Sequence, residues 1–153
     1  MLKDDCIFCK IIKGEIPSYK IWENEKFYAF LDIFPNTKGM TLLIPKEHYD
    51  SYAFDLPDEV YLELLLFAKK LGKHIDRALR INRTALVMEG MGVNHVHIKL
   101  YPLHGLNNDF KPMIPEGEHF YEKYQGYLTT LLGPRATDKE LTEIQKILET
   151  KLL

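Results

Sequence analysis

The chain lacks the features that mark secreted, membrane-spanning or nucleic-acid-binding proteins. Its net charge of −2 offers no excess of positive charge, so we expect no general binding to nucleic acid. No run of about 18 or more apolar residues occurs, and we therefore expect no membrane-spanning helix. The first residues, Met-Leu-Lys-Asp-Asp, lack the apolar core of a signal peptide. These absences predict a soluble, cytoplasmic protein.

Cysteine is also scarce, and its two occurrences form one motif. Cys6 and Cys9 stand in a Cys-x-x-Cys pattern near the N-terminus. Because a disulfide is disfavoured in the cytoplasm, the pattern indicates a redox motif, a metal site or a coincidence. A thioredoxin-like motif lies between a strand and a helix of a βαβ unit, which this position does not match. Half of a zinc site fits better if two further ligands come from elsewhere, and two small buried residues are the alternative.

The remaining composition is that of an ordinary soluble globular protein, with 153 residues, 46% of them hydrophobic and 27% charged. Short runs of apolar, aromatic and β-branched residues predict strands at 18–23, 26–33, 40–45, 84–90 and 94–101. One long helix is predicted at 57–79 from an apolar stripe at spacings of three and four. Strands joined by short turns around a single helix predict an α+β fold, with that helix packed on an antiparallel sheet of about five strands.

The last third of the chain has a different character. Residues 102–117 are rich in proline, glycine and asparagine and predict a long loop. Helices are predicted at 118–132 and 137–152, the second from a capping box. We therefore divide the chain into a first domain at 1–103 and a helical C-terminal extension at 104–153, which packs on the same domain.

Residues 94–102, Asn-His-Val-His-Ile-Lys-Leu-Tyr-Pro, are the most informative stretch. Strict alternation with apolar residues is the period of a strand, in which side chains two residues apart share a face. His95, His97 and Lys99 would then line one face, and the apolar residues between them would enter the core. Three groups that bind protons, metals or phosphates on one rigid element predict a site. The alternative is a strand with a solvated polar face.

Five segments in a fixed order carry a resemblance to a known family. They are Cys6-Ile-Phe-Cys9, Gly14-Glu-Ile-Pro17, Phe30-Leu-Asp-Ile-Phe-Pro35, Thr37-Lys-Gly-Met-Thr-Leu-Leu-Ile-Pro-Lys-Glu-His48 and His95-Val-His-Ile-Lys-Leu-Tyr-Pro102. In this order and at these spacings, residues 5–103 resemble the histidine triad family of nucleotide hydrolases and transferases.

The resemblance implies a reaction and a substrate. Family members cleave a nucleoside 5′-phosphoryl compound at the α-phosphorus through a nucleotidyl-histidine intermediate, which His97 would form here. Imidazole suits this role because it is neutral and nucleophilic near pH 7. Asp32 would accept hydrogen bonds from the ribose of a purine nucleotide, with Ile33 and Phe30 as residues of the base pocket. Asn94 is a candidate donor to the phosphate.

The resemblance also implies a metal and a partner. In members with an N-terminal cysteine pair, the metal ligands map to Cys6, Cys9, His48 and His95. Such a closed Cys₂His₂ set is typical of structural rather than catalytic zinc. It would fasten the N-terminal arm to the strand that carries His97. Family members are usually homodimers, which associate through the long helix and a sheet edge.

The chain departs from the family pattern at three places. Lys99 replaces the third histidine of the signature, Met40 replaces a further family histidine, and residues 89–94 shorten the loop that usually holds the phosphate. We expect Lys99 to take over part of the electrostatic work, since an ammonium near His97 favours neutral imidazole and attracts phosphate. The alternative is a lysine that extends to solvent beside a degraded site.

The sequence thus predicts a nucleotide hydrolase or nucleotidyl transferase that works through His97 and contains structural zinc. The alternative from another class is a zinc-containing nucleotide-binding module with little or no catalytic activity. A phosphoramidate, a dinucleoside polyphosphate and an acyl adenylate all fit the implied chemistry as substrates.

Overall fold

A computed structural model describes residues 2–129, 137 and 139. The chain divides into two compact units, Met1–Phe110 and Lys111–Leu153. The secondary structure of the first unit comprises, in chain order, α1 (Ile7–Lys13), β1 (Lys20–Glu23), β2 (Phe27–Leu31), β3 (Thr41–Pro45), a 3₁₀ turn (Ala53–Asp55), α2 (Asp58–Leu79), β4 (Thr84–Val87) and β5 (Ile98–Pro102). In the part of the chain that the structure describes, no helix has both the length and the apolar character needed to cross a bilayer.

The five strands form one antiparallel sheet in the order β1-β2-β3-β5-β4, which confirms the predicted α+β fold. Short connections join β1 to β2 and β2 to β3, whereas α2 lies between β3 and β4 in the chain. Strand β5 enters between β3 and β4, so it is central and β4 is an edge strand. The segment with His95 and His97 therefore leads directly into an interior strand of the sheet.

The sheet is covered on both faces, which explains why β3 is apolar at successive positions. Leu43 packs with the buried face of α2, together with Ile98 and Leu100 of β5. Its neighbours Leu42 and Ile44 face the other way. They pack against the buried side chains of α1 on the opposite face. A strand between two layers has no solvated face, and so the period-two pattern is absent from its sequence.

The strand that carries the histidines is shorter than predicted. It begins at Ile98 rather than at residue 94, because the backbone upstream does not pair with a neighbouring strand. The Val96 N–H donates to the carbonyl of Tyr49 over 2.9 Å, and the His95 N–H donates to that of Val93. The predicted alternation of faces nevertheless holds, since Val96, Ile98 and Leu100 enter the α2-side core.

The second unit does not contain the predicted helix at 118–132 within its described part. Residues 118–129 form bends and irregular chain. Gly126 has a φ of +86°, a left-handed conformation that cannot continue a right-handed helix. The Tyr121 and Tyr127 hydroxyls lie 2.9 Å apart across this bend. Apart from positions 137 and 139, the predicted helix at 137–152 lies outside the described residues, and the packing of 104–153 on the first domain stays a prediction.

Candidate functional site

Four metal-ligating side chains converge beside the sheet. Cys6 and Cys9 come from the start of α1, His48 follows β3, and His95 precedes β5. Their ligand atoms all lie within 4.8 Å of one another. All four are buried, His48 the least with 9% of its surface exposed. Three separate segments therefore place two thiols and two imidazoles around one point.

The spacing of these atoms matches a tetrahedral ion. The Sγ of Cys6 lies 3.5 Å from the Nδ1 of His95, and the Sγ of Cys9 lies 3.3 Å and 3.6 Å from the Nδ1 atoms of His48 and His95. Zinc bonds of about 2.3 Å to sulfur and about 2.0–2.1 Å to nitrogen give a sulfur–nitrogen separation of about 3.6 Å in a tetrahedron. These three sulfur–nitrogen separations thus fit a zinc ion bound among the four side chains.

The outward-facing ring nitrogens of both histidines have partners that orient them. The Nε2–H of His95 donates to the carbonyl of Pro45 over 2.9 Å, and the Nε2–H of His48 donates to Asp50 Oδ1 over 3.1 Å. Each bond places the proton on Nε2 and leaves Nδ1 able to ligate a metal. Burial lowers the pKa of His95 to about 4, so its ring is neutral at physiological pH. Both imidazoles are therefore held as metal ligands.

The thiols fit a structural metal better than redox chemistry. Both are buried and free, and burial raises the pKa of Cys9. Reactive cysteines show the opposite shift and are exposed. The donor set, its spacing and its burial confirm the predicted site for structural zinc.

His97 is held in the tautomer that a nucleophile requires. Its Nδ1–H donates to the backbone carbonyl of His95 over 2.7 Å, which leaves the lone pair of Nε2 unprotonated. Only 3% of its surface is exposed, and the ring of Phe8 stands edge-on to it at 5.3 Å. Burial lowers the pKa of His97, and the charge of Lys99 lowers it further. The hydrogen bond to the His95 carbonyl, and to a smaller extent the charges of Glu89 and Asp32, oppose this shift. The ring is therefore neutral near pH 7.

A cavity of about 320 Å³ opens beside His97. This volume is at the lower end of the range for small-molecule sites. Most of its wall is apolar, and the charged residues on it are Asp32 and Lys99. The apolar wall comes from α1, the segment before β1, strands β2 and β3, the loop between these two strands, and the loop before β5. It consists of Ile7, Phe8, Ile11, Ile16, Pro17, Phe30, Leu31, Ile33, Phe34, Leu42 and Val93.

The predicted nucleoside-binding residues line this cavity together. Asp32 Oδ1 accepts a hydrogen bond from the Phe34 N–H over 2.8 Å, and this Asx turn fixes the carboxylate at the wall. Phe30 is buried, whereas Ile33 lies at the mouth with 66% of its surface exposed. An apolar pocket with one acceptor carboxylate at its rim has the form of a nucleoside site.

The comparison with known families matches residues 13–105 to the HIT domain. The chain belongs to the HIT family. The matched region contains His48, His95 and His97 but begins after both cysteines. The cysteine half of the metal site therefore lies in front of the matched residues.

Relatives and solved structures of HIT proteins agree with this assignment. Adenosine 5′-monophosphoramidase HNT1 of Saccharomyces cerevisiae is 44% identical over 103 residues, which cover 63% of this chain and 61% of the yeast protein. SMU.412c from Streptococcus mutans UA159 superimposes with a TM-score of 0.72 at 26% identity, over 99% of this chain and 87% of that one. A zinc-bound histidine triad family protein from Mycobacterium smegmatis has a TM-score of 0.62 at 28% identity, covering 70% and 81%.

Asn94 does not join the other predicted HIT site residues. It lines a neighbouring cavity next to Cys6 and His48 rather than the one beside His97. Its Oδ1 accepts from the Ser51 N–H over 2.9 Å, and its Nδ2 donates to Asp50 over 3.2 Å. The amide therefore fastens the loop after β3 to the loop before β5.

Two residues that complete the HIT site were not found by sequence reasoning. Phe8 contacts the rings of His95, His97 and Phe30, and the spacing of Ile7, Phe8 and Ile11 along α1 was the signal for an apolar helix face. The second residue is Glu89, whose Oε2 lies 3.3 Å from Lys99 Nζ. No local pattern marks this contact, which forms across two strands.

Proposed function

We propose that this HIT protein is a nucleotide hydrolase or nucleotidyl transferase that cleaves nucleoside 5′-phosphoryl compounds at the α-phosphorus. The observation that carries the proposal is the state of His97, a buried neutral imidazole at the wall of a nucleoside-sized cavity. Its Nδ1–H is committed to the His95 carbonyl, so only Nε2 is available for attack. A base with one protonated and one free nitrogen is suited to forming a phosphorus–nitrogen bond.

The reaction proceeds in two steps at this atom. Nε2 of His97 attacks the α-phosphorus, the leaving group departs with its bonding electrons, and a nucleotidyl-histidine forms. Positive charge develops on the ring, and the hydrogen bond from Nδ1–H to the His95 carbonyl stabilises it. Water, or another acceptor in a transfer reaction, then attacks phosphorus and returns the electron pair to Nε2.

We propose that a purine nucleoside occupies the cavity with its base against Phe30 and Ile33. Apolar and aromatic walls contact either face of a base, and the Asp32 carboxylate accepts hydrogen bonds from ribose hydroxyls. The yeast relative is named for an adenosine 5′-monophosphoramidase activity, which supports an adenylyl phosphoramidate as the first substrate to test.

The zinc site would stabilise the position of His97 at the cavity. Zinc held here by Cys6, Cys9, His48 and His95 would supply no chemistry to the reaction, because four protein ligands would leave it no open position. Its bonds would join α1, which carries Phe8, to the segment that carries His97. Thiol ligands require reducing conditions, and we propose that the protein works in the cytoplasm.

The covalent intermediate tests the proposed function directly. We expect protein mixed with an adenylyl phosphoramidate and quenched in base to gain the mass of one adenylyl group, located on residue 97 by peptide mapping. Dinucleoside polyphosphates and an acyl adenylate complete the substrate panel. Nucleotide binding by calorimetry without an adduct or turnover on any member of the panel would contradict the proposal and favour the binding module.

We further propose that two copies associate through α2 and the edge strand β4. Leu62 and Leu66, one turn apart on α2, have 58% and 60% of their surfaces exposed, and Leu86 on β4 has 44%. Leu86 lies beside α2 residues around one shallow cavity, so these leucines are on the same side of the sheet. We expect Leu66→Glu to convert a dimer to a monomer in sedimentation analysis, because a buried carboxylate without a partner is costly.

A matched control for the dimer is Tyr19→Glu. This side chain is 70% exposed and adjoins β1 at the opposite edge of the sheet. It should leave the oligomeric state unchanged. A wild-type protein that sediments as a monomer would contradict the proposed dimer.

A further inference from the structure

An ion pair lies at the wall of the cavity where the family signature has its third histidine. Lys99 lines the cavity together with His97, and its Nζ lies 3.3 Å from Glu89 Oε2. The two side chains are 24% and 13% exposed. Val87, the last residue of β4, pairs with Lys99 of β5, and Glu89 follows two residues beyond the end of that strand. The ion pair therefore joins the segment after β4 to β5.

Lys99 is the only cation among the described residues that line this cavity. It stands two residues after the nucleophile, on the same side of the segment, and its charge contributes to the lowered pKa of His97. A lysine ammonium offers two properties that a phosphate-cleaving site can use. It attracts an anion as a point charge, and, unlike arginine, it can give up a proton.

We propose, on the basis of the function proposed above, that Lys99 is the general acid and base of the reaction and that Glu89 is its positioning residue. This assignment makes compounds with an amine leaving group the preferred substrate class. A phosphorus–nitrogen bond breaks readily only when the departing nitrogen receives a proton. Among the residues that the structure describes, Lys99 carries the one ammonium at the cavity wall.

The proton balance closes over the two steps. As His97 Nε2 bonds to phosphorus, the electron pair of the phosphorus–nitrogen bond moves to the leaving nitrogen. That nitrogen takes a proton from Lys99 Nζ and departs as a neutral amine. The neutral Lys99 then removes a proton from water as the water oxygen bonds to phosphorus, and His97 Nε2 recovers its electron pair. The products are a nucleoside monophosphate and an amine, and Lys99 is again an ammonium.

Glu89 fits the role of positioning residue because it contacts Lys99 rather than the cavity. Its carboxylate compensates the ammonium charge at a largely buried site, where an unpaired charge is costly. It also limits the rotamers of a long, flexible side chain. The competing assignment is that Lys99 only anchors a phosphate oxygen, in which case the charge matters but proton transfer does not.

Two substrates that differ only in the leaving group separate these assignments. One is adenosine 5′-phosphoramidate carrying an alkylamine, which needs a proton to leave. The other is the p-nitrophenyl ester of AMP, whose phenolate leaves without one. We expect Lys99→Met to lower kcat for the phosphoramidate by about 10²–10⁴-fold, and to change kcat for the ester by less than about tenfold.

Lys99→Arg is the decisive variant. Arginine keeps the positive charge but does not release a proton. We expect it to hydrolyse the ester and to be as defective as Lys99→Met on the phosphoramidate. Recovery of phosphoramidate hydrolysis by arginine, or an equal loss on both substrates in Lys99→Met, would overturn the general-acid assignment.

Glu89→Gln tests the positioning role, since it keeps the size of the side chain and removes its charge. We expect a loss of about tenfold or more, confined to the phosphoramidate, with Glu89→Asp recovering part of it. A loss shared by both substrates would show a merely structural role.

The ester also distinguishes failure of the Lys99 assignment from failure of the proposed function. A wild-type protein that cleaves neither substrate and forms no adduct would overturn the proposed function itself, and the assignment of Lys99 and Glu89 with it.

Discussion

We expect His97→Ala to lower kcat/KM for the p-nitrophenyl ester of AMP by on the order of 10⁴–10⁶-fold, as loss of a covalent nucleophile does in other enzymes. The expected result follows from the tautomer of His97, whose Nε2 is the free nitrogen. The ester is the right substrate because its leaving group needs no proton, so kcat/KM reports binding and nucleophilic attack without protonation of the leaving group. Adduct formation, followed by mass spectrometry, should disappear together with turnover.

A second histidine provides a control for this substitution. His74 lies on α2 and is exposed to solvent. His74→Ala should keep wild-type kcat/KM within about twofold, since surface substitutions away from a site have small effects. If His97→Ala retained a rate within about tenfold of wild type, water would be attacking phosphorus directly and the covalent mechanism would be wrong.

Loss of zinc should have the largest effect on stability. We expect Cys9→Ser to lower the free energy of unfolding by roughly 4 kcal/mol or more, because loss of a metal ligand is among the most damaging single changes. For a chain of this size the melting temperature should fall by roughly 10 °C or more. The physical reason is that the metal binds only where the native fold brings the two cysteines to His48 and His95. Thermal melts with metal analysis measure both quantities.

A chelator provides the control for the zinc experiment. It should destabilise the wild-type protein about as much as the substitution does, and should leave Cys9→Ser almost unchanged, because that variant has no metal to lose. Metal analysis should give one zinc ion per wild-type chain. The result that contradicts the zinc site is a wild-type protein whose stability the chelator does not change, while Cys9→Ser lowers the free energy of unfolding equally with and without the chelator. The cysteines would then act only as buried apolar residues.

The patterns that depend on local periodicity could be predicted from the sequence. The stripe of α2 is one example, and its buried residues Leu64, Leu71 and Ile75 belong to the core. A second example is the prediction that Val96 and His97 lie on opposite faces, which is confirmed even though the strand begins only at Ile98. Such patterns depend on backbone geometry within a few residues, which the sequence expresses directly.

Features that depend on long-range pairing could not be predicted in this way. A solvated polar face was the alternative interpretation of residues 95–99, and it is wrong at the histidines because Phe8 of α1 packs on His95 and His97. The contact of Lys99 with Glu89 joins β5 to the segment that follows β4. Asn94 is engaged by the loop after β3, whose position depends on the close approach of Gly90 to Ser51. A Cβ at Gly90 would lie 2.6 Å from the Ser51 carbonyl oxygen, so the two loops meet only where the side chain is absent.

His95 makes polar contacts in three directions. Its Nδ1 faces both cysteine sulfurs, its Nε2–H donates to Pro45 on β3, and its carbonyl accepts from the ring of His97. A protein engineer who wished to move this nucleophile into another scaffold could not move the His-x-His tripeptide alone. The smallest transferable part would also include the two cysteines and the end of β3 at Pro45, because His95 contacts the cysteines, Pro45 and His97.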